Sequence, residues 1–272
     1  MLGRAVVREA RSRGFAALGL SHAQADVADA GRVAYWTRTF RPQLVINCAA
    51  LTKVDDCETR RDEAMAVNGR AVGTMAAAAR REGARFAHLS TDYVFDGTAS
   101  APIPEEASTA PLSVYGESKL LGEREALEQE GSLVVRTSLV FGPGGENFVA
   151  AMARLLLAGR PLRVVDDQVS CPTYTRFLAP ALLDLAAARA EGVVHYCNPG
   201  GVSRFGLVQA IAAAIAPAAL IEPARTAEFP RPARRPAYSV LDVKRFEELT
   251  RRPAEPWRWG LRDYLHEEAM EN

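Results

Sequence analysis

Apolar and polar positions along this chain alternate between two kinds of run. Short blocks of mostly apolar residues, such as Leu44-Val45-Ile46-Asn47-Cys48-Ala49 and Leu133-Val134-Val135-Arg136-Thr137, are separated by longer stretches with a helical period. The short blocks read as strands covered on both faces, the longer ones as amphipathic helices. The pattern predicts strands over 15–20, 44–49, 86–90 and 133–137, and helices over 30–40, 60–82 and 114–129, with stops at Pro42, Gly83 and Gly131. Strands separated by helices imply parallel pairing through crossovers. The expected fold is therefore α/β, a Rossmann-like doubly wound parallel sheet.

After Gly142 the pattern changes. Pro, Gly and Arg become common, helices are predicted over 147–158, 174–190 and 204–216, and short strands over 162–165 and 193–196. This divides the chain into a dinucleotide-binding Rossmann-like domain over 1–142 and a mainly substrate-binding part over 143–272, woven onto the same sheet. The front is unusual. A dinucleotide fold should open with a strand and a Gly-rich turn. Here Leu2 to Arg11 is helical in pattern from the outset. The first strand of such a sheet is central, so without it two neighbours expose backbone groups. The expectation is a sequence that starts downstream of its natural start.

Composition narrows the function classes. The 272 residues carry 33 basic and 33 acidic side chains, which leaves no long-range field to gather nucleic acid or an anionic membrane. No apolar stretch reaches the ~20 residues of a membrane span, and the start does not read as a signal peptide. Four cysteines, at 48, 57, 171 and 197, form no Cys-x-x-Cys pair and no disulfide framework. The histidines at 22, 88, 195 and 266 show no metal spacing; His88 and His195 read as core or sheet-face residues. A reducing cytoplasm is the expected location.

The chemistry concentrates in two segments. Tyr115 and Lys119 stand four residues apart in a predicted helix, which places phenol and ammonium on one face. A nearby positive charge would lower the phenol's pKa and fit it for proton transfer near neutrality. The apolar run Phe86-Ala87-His88-Leu89 ends at Ser90-Thr91, so the hydroxyl of Thr91 stands at a strand's carboxyl end, where open α/β sheets bind ligands. A lone Tyr-x-x-x-Lys is more often a solvated pair than a site; with Ser90-Thr91 it indicates an alcohol–ketone oxidoreductase.

Residues in several ordered stretches then match a family. Ser-Thr-Asp-Tyr-Val-Phe-Asp-Gly over 90–97, Tyr115-Gly116-Glu117-Ser118-Lys119, Asn47-Cys48-Ala49-Ala50, Ala66-Val67-Asn68, Arg136-Thr137-Ser138 and Arg235-Pro236-Ala237-Tyr238-Ser239 resemble the extended short-chain dehydrogenase/reductases, most closely the dTDP-4-dehydrorhamnose reductases. The resemblance implies NADPH (or NADH) as cofactor and a nucleotide-sugar substrate whose 4-keto group is reduced. It implies Thr91, Tyr115 and Lys119 as catalytic residues. Gly3, Arg4, Ser21, Asp26, Val27, Ala49 and Ala50, with Tyr115 and Lys119, would hold the cofactor, although Asp26 could equally cap a helix. Thr52, Val54, Asp92 and Gln168 would line the substrate, and Asn68 would support the site. No acid stands at Ser21-His22 to bind a ribose 2′-hydroxyl, which leans toward NADP. A homodimer without nucleic-acid or membrane partners is expected.

Two departures from the family pattern stand out. Of its Gly-x-x-Gly-x-Leu-Gly-Arg turn only Leu2-Gly3-Arg4 is present, and Leu139 stands where an aromatic is frequent. They keep open another nucleotide-sugar 4-ketoreductase, and a non-catalytic subunit resembling regulators of methionine adenosyltransferase.

Overall fold

The structure, a computed structural model, describes residues 1–271. The chain enters as helix α1 (Leu2–Ser12), crosses an irregular stretch, and forms α2 (Ala30–Phe40), whose first turn is capped by the Asp29 carboxylate accepting from the Arg32 N–H. Strand β1 (Leu44–Asn47) is followed by α3 (Val54–Thr59), α4 (Arg61–Ala64), a π-helical turn over Met65–Arg70 and α5 (Ala71–Arg81). Then come β2 (Arg85–Thr91), a 3-10 turn over Asp92–Val94, α6 (Val114–Leu127) and β3 (Leu133–Thr137).

The second half contributes β4 (Val140–Phe141), α7 (Phe148–Leu157), β5 (Leu162–Val165), β6 (Val169–Ser170), β7 (Thr173–Tyr174), α8 (Thr175–Ala187) and β8 (Gly192–His195). It continues with β9 (Val202–Ser203), α9 (Arg204–Ile215), β10 (Ile221–Ala224), α10 (Lys244–Thr250) and α11 (Trp257–Glu271).

The main sheet is parallel, in the order β1-β2-β3-β8. Its side chains alternate between two cores, as a period of two requires. Leu133 and Val135 of β3 face one side, with Leu178, Ala181 and Leu182 of α8 and Ala5 and Val6 of α1. Val134 faces the other, with Val72, Met75 and Ala79 of α5 and Val33 of α2. The fourth strand, β8, and the covering helix α8 both come from the second half, so the two halves share one sheet. A separate core beneath α7, α9 and α11 holds Phe141, Tyr174, Leu207, Ile211 and Trp257.

Two expectations are corrected. Phe15 to Leu20 is not a strand, and Phe15, Leu18 and Leu20 are exposed. A strand needs a neighbour for its ladder. No described strand pairs with this stretch, and β1, paired on one side with β2, is the sheet's edge. The predicted helix over 60–82 is broken: the backbone leaves helical geometry at Arg60 and widens into the π turn before α5. Its Ala-rich composition favours a helix without preventing an inserted residue, and the packing of Asn68 sets where the insertion falls.

Candidate active site

Tyr115 lies in the first turn of α6, which begins at the carboxyl end of β2. The Ser113 hydroxyl caps that helix by accepting from the Gly116 N–H at 3.2 Å. The helix end then presses on the turn after β2: a Cβ on Gly116 would lie 2.3 Å from the Tyr93 carbonyl oxygen, so only glycine lets α6 approach. This contact brings the Tyr115 phenol beside the Thr91 hydroxyl. Tyr93 packs edge-on against Tyr115, ring centroids 5.8 Å apart. The Thr91 hydroxyl also donates to Asp92 Oδ1 at 3.2 Å and accepts from the Tyr93 N–H at 3.2 Å.

Lys119, one turn further along α6, is buried. Its Nζ donates to the Leu89 carbonyl at 2.6 Å and meets His88 Nε2 at 3.1 Å. The sequence reading has the ammonium lowering the Tyr115 pKa; the structure corrects this. The Tyr115 hydroxyl is raised above the ordinary phenol range, because burial outweighs the opposing effect of the Thr91 hydroxyl and the charges of Asp92, Tyr93 and Cys57 add to the rise. Lys119 moves the other way, down to about 8, chiefly by burial, with Glu123 and Cys48 opposing. At neutral pH the phenol keeps its proton.

Asn68 sits in the π turn and is fully buried. Its Oδ1 accepts from the Leu51 N–H at 2.7 Å; its Nδ2 donates to the Leu51 carbonyl at 3.0 Å and to Ser118 Oγ at 3.0 Å. It thus ties the loop after β1 to α6, and π insertions are frequent where a side chain must be aimed in this way. Behind the site, Glu123 accepts from Ser90 Oγ and two guanidinium nitrogens of Arg136, the pair only 3% and 5% exposed.

The residues expected to hold a cofactor lie in α1, just after β1 and in the stretch before α2. Gly3 and Arg4 lie in the first turn of α1, which has no side-chain cap. A Cβ on Gly3 would meet nothing closer than Cys48 Cβ at 3.7 Å. Ala49 and Ala50, exposed and half-buried, follow β1. An uncapped helix N-terminus beside small residues suits a pyrophosphate, so the residues present fit a dinucleotide. Ser21 is exposed and its N–H and hydroxyl bond Gln24 Oε1. Asp26 does not cap α2, as Asp29 does; it accepts from the Ala28 N–H, while Val27 packs on the α5 core.

Of the substrate candidates, Thr52 is exposed and Val54 opens α3. Asp92 is buried, its Oδ2 accepting from Ser138 at 2.7 Å and Ser239 at 2.5 Å. Burial raises its carboxyl while these hydroxyls oppose the rise. The Gln168 carbonyl accepts from the Arg204 N–H, and its amide donates to Thr226 Oγ1. The arginines Arg204 and Arg235 were missed. Arg204 is an electrostatic neighbour of Asp92 and Tyr93, and its Nη1 is buried without a hydrogen-bond partner. Arg235 pairs with Asp55 through two bonds of 2.8 Å. Arg235 heads a stretch that matches the family, but nothing local gives it or Arg204 a role; the tertiary path of the second half places them here.

A family model described as RmlD substrate binding domain matches residues 1–270. The chain belongs to this family. It is 41% identical over 268 residues to a dTDP-4-dehydrorhamnose reductase of Mycobacterium tuberculosis, covering 96% of this chain and 88% of that one. It is 39% identical over 269 residues to the dTDP-4-dehydrorhamnose reductase of Streptomyces griseus, covering 96% and 88%. The crystal structure of dTDP-4-dehydrorhamnose reductase from Bacillus anthracis in complex with NADP superimposes with a TM-score of 0.93 at 31% identity, covering 98% of this chain and 95% of that one.

Proposed function

We propose that this member of the RmlD family is an NADPH-dependent oxidoreductase that reduces the 4-keto group of dTDP-4-dehydro-6-deoxy-L-mannose to give dTDP-L-rhamnose. Its relatives' names and the NADP in the Bacillus anthracis structure support this reading. The observation that carries it is the Tyr115 phenol placed beside the Thr91 hydroxyl at the carboxyl end of the sheet, a phenol that keeps its proton.

When bound, NADPH supplies the hydride. Gly3, Arg4, Ser21, Asp26, Val27, Ala49 and Ala50 would hold it, with Tyr115 and Lys119 at its reactive end. The Tyr115 phenol gives its proton to the ketone oxygen and is left as phenolate. The Thr91 hydroxyl turns its one proton from Asp92 Oδ1 to the same oxygen and holds the carbonyl in line, so the developing charge meets two donors. Thr52, Val54 and Gln168 contact the sugar nucleotide, and Asp92 holds the Thr91 hydroxyl until the ketone takes its place.

A second reading, a 4-ketoreductase for a related nucleotide sugar, rests on Leu139. This residue, between β3 and β4, has a positive φ of 39°, unusual for a leucine, and packs into the core beneath α7. Following NADPH absorbance with a panel of 4-keto nucleotide sugars tests both. The first reading expects the fastest turnover with dTDP-4-dehydro-6-deoxy-L-mannose; faster turnover of another sugar favours the second, and no turnover of any contradicts both.

A further inference from the structure

Beside the proposed site stands a guanidinium that the fold fixes in place while leaving one of its nitrogens unpaired. Arg204 opens α9, whose first turn is capped by the Ser203 hydroxyl accepting from the Gly206 N–H at 3.0 Å. Its own N–H donates to the Gln168 carbonyl at 3.1 Å. This continues by one step the ladder in which Val169 lies opposite Ser203, and so sets Arg204 opposite Gln168. The guanidinium carbon lies 5.1 Å from the centre of the Phe148 ring, a cation–π contact. Phe148 is itself fixed as the first residue of α7, which is capped by Asn147 Oδ1 accepting from the Ala150 N–H at 2.9 Å. Backbone and ring thus hold the side chain from two sides, and a group already ordered loses little entropy on meeting a ligand. Arg204 Nη1 is nonetheless buried without a hydrogen-bond partner. Burying a charged donor in this way costs free energy that a bonded anion would return.

The acids around this part of the site are already engaged. Asp92 accepts from Ser138 and Ser239 on one oxygen and from Thr91 on the other. Asp55 meets Arg235 through two bonds of 2.8 Å. Tyr93 stands beside Arg204, and burial raises its phenol, so it adds no negative charge at neutral pH. The Tyr93 ring in turn packs on Tyr115, which puts the Arg204 cation one aromatic ring away from the reacting group. Among the parts of a nucleotide sugar, the base and a 6-deoxy sugar offer neutral polar groups, and only the diphosphate is anionic. A planar fork of N–H donors suits phosphate oxygens. We propose that Arg204, held ready by Phe148 and by its place opposite Gln168, binds the diphosphate of the nucleotide-sugar substrate. The inference rests on the reading of this cleft as a nucleotide-sugar reductase site. It adds to Thr52, Val54 and Gln168 a charged contact that selects a sugar carrying a diphosphate over a free sugar.

Calorimetry with dTDP and with UDP, NADP+ being present, reads this contact without turnover. The wild-type chain should bind at least one of the two diphosphates. Arg204→Gln removes the charge and should weaken that binding at least ~10-fold, the scale of one bond to a charged group. Arg204→Lys restores the charge without the fork and should recover part of the loss. In steady state, KM for the nucleotide sugar should rise in Arg204→Gln by about the same factor, with kcat changed much less. The proposal is overturned if the wild-type chain binds neither diphosphate, or if Arg204→Gln binds as tightly as wild type. It is equally overturned if the Gln and Lys variants are equally weak, which would make the loss one of packing, or if kcat falls while KM stays unmoved. A wrong assignment of base or sugar changes which diphosphate binds better and leaves the dependence on Arg204 intact, so the two failures are told apart.

Discussion

Tyr115→Phe removes one oxygen and leaves the ring packed on Tyr93, so folding should be preserved. Turnover should fall at least ~100-fold, as expected for loss of a positioned acid; unchanged kcat would remove Tyr115 from the mechanism. The types and spacing of Thr91, Tyr115 and Lys119 were legible in the sequence, because a helical turn and a strand end are local features. The direction of the Tyr115 pKa was not. It depends on how much solvent the fold removes from each group, and burial here exceeds any help from a lysine whose Nζ turns to Leu89 and His88. The contact between Asn47 and His88 was equally hidden, since β1 and β2 bring them together from 41 residues apart.

At the scale of elements, boundaries set by the apolar pattern and by a stop residue were readable. The helix over Ala30–Phe40, preceded by Asp29 and stopped before Pro42, and the strand Leu133–Thr137 fall where the pattern places them. The π turn was not readable, because its composition is that of an ordinary helix and its cause, Asn68 reaching Leu51 and Ser118, is tertiary. Asn68→Ala leaves the Leu51 N–H without its partner and the Leu51 carbonyl with only the Cys57 thiol, and should cost about 1–3 kcal/mol in urea unfolding. It should also reduce kcat, since the loop after β1 loses its tie to α6. Unaltered stability and turnover would show that the π turn holds its shape without this side chain.

At the scale of the molecule, the parallel sheet followed from the alternation of strands and helices, whereas Phe15 to Leu20 failed as a strand for want of a neighbour, which no local pattern reveals. The two halves also meet through Asp55 and Arg235. The Arg235 guanidinium holds the Asp55 carboxyl below its ordinary value of 3.8, so the pair's contribution is present above that pH and is lost as pH falls through the lower folded value. Acid unfolding should therefore show a component below about pH 4 that Asp55→Asn removes; an identical acid limb in the variant would mean that the pair adds nothing. The pair is partly solvated, so the component should be small. The central claim is that this site delivers a hydride to a 4-keto sugar beside Tyr115. Its most direct test is transfer from 4-deuterated NADPH, with the nucleotide-sugar product read by mass spectrometry and NMR. The account expects deuterium at C4 of the sugar with the wild-type chain and almost none with Tyr115→Phe; product without deuterium, or equal transfer by the two proteins, would contradict it.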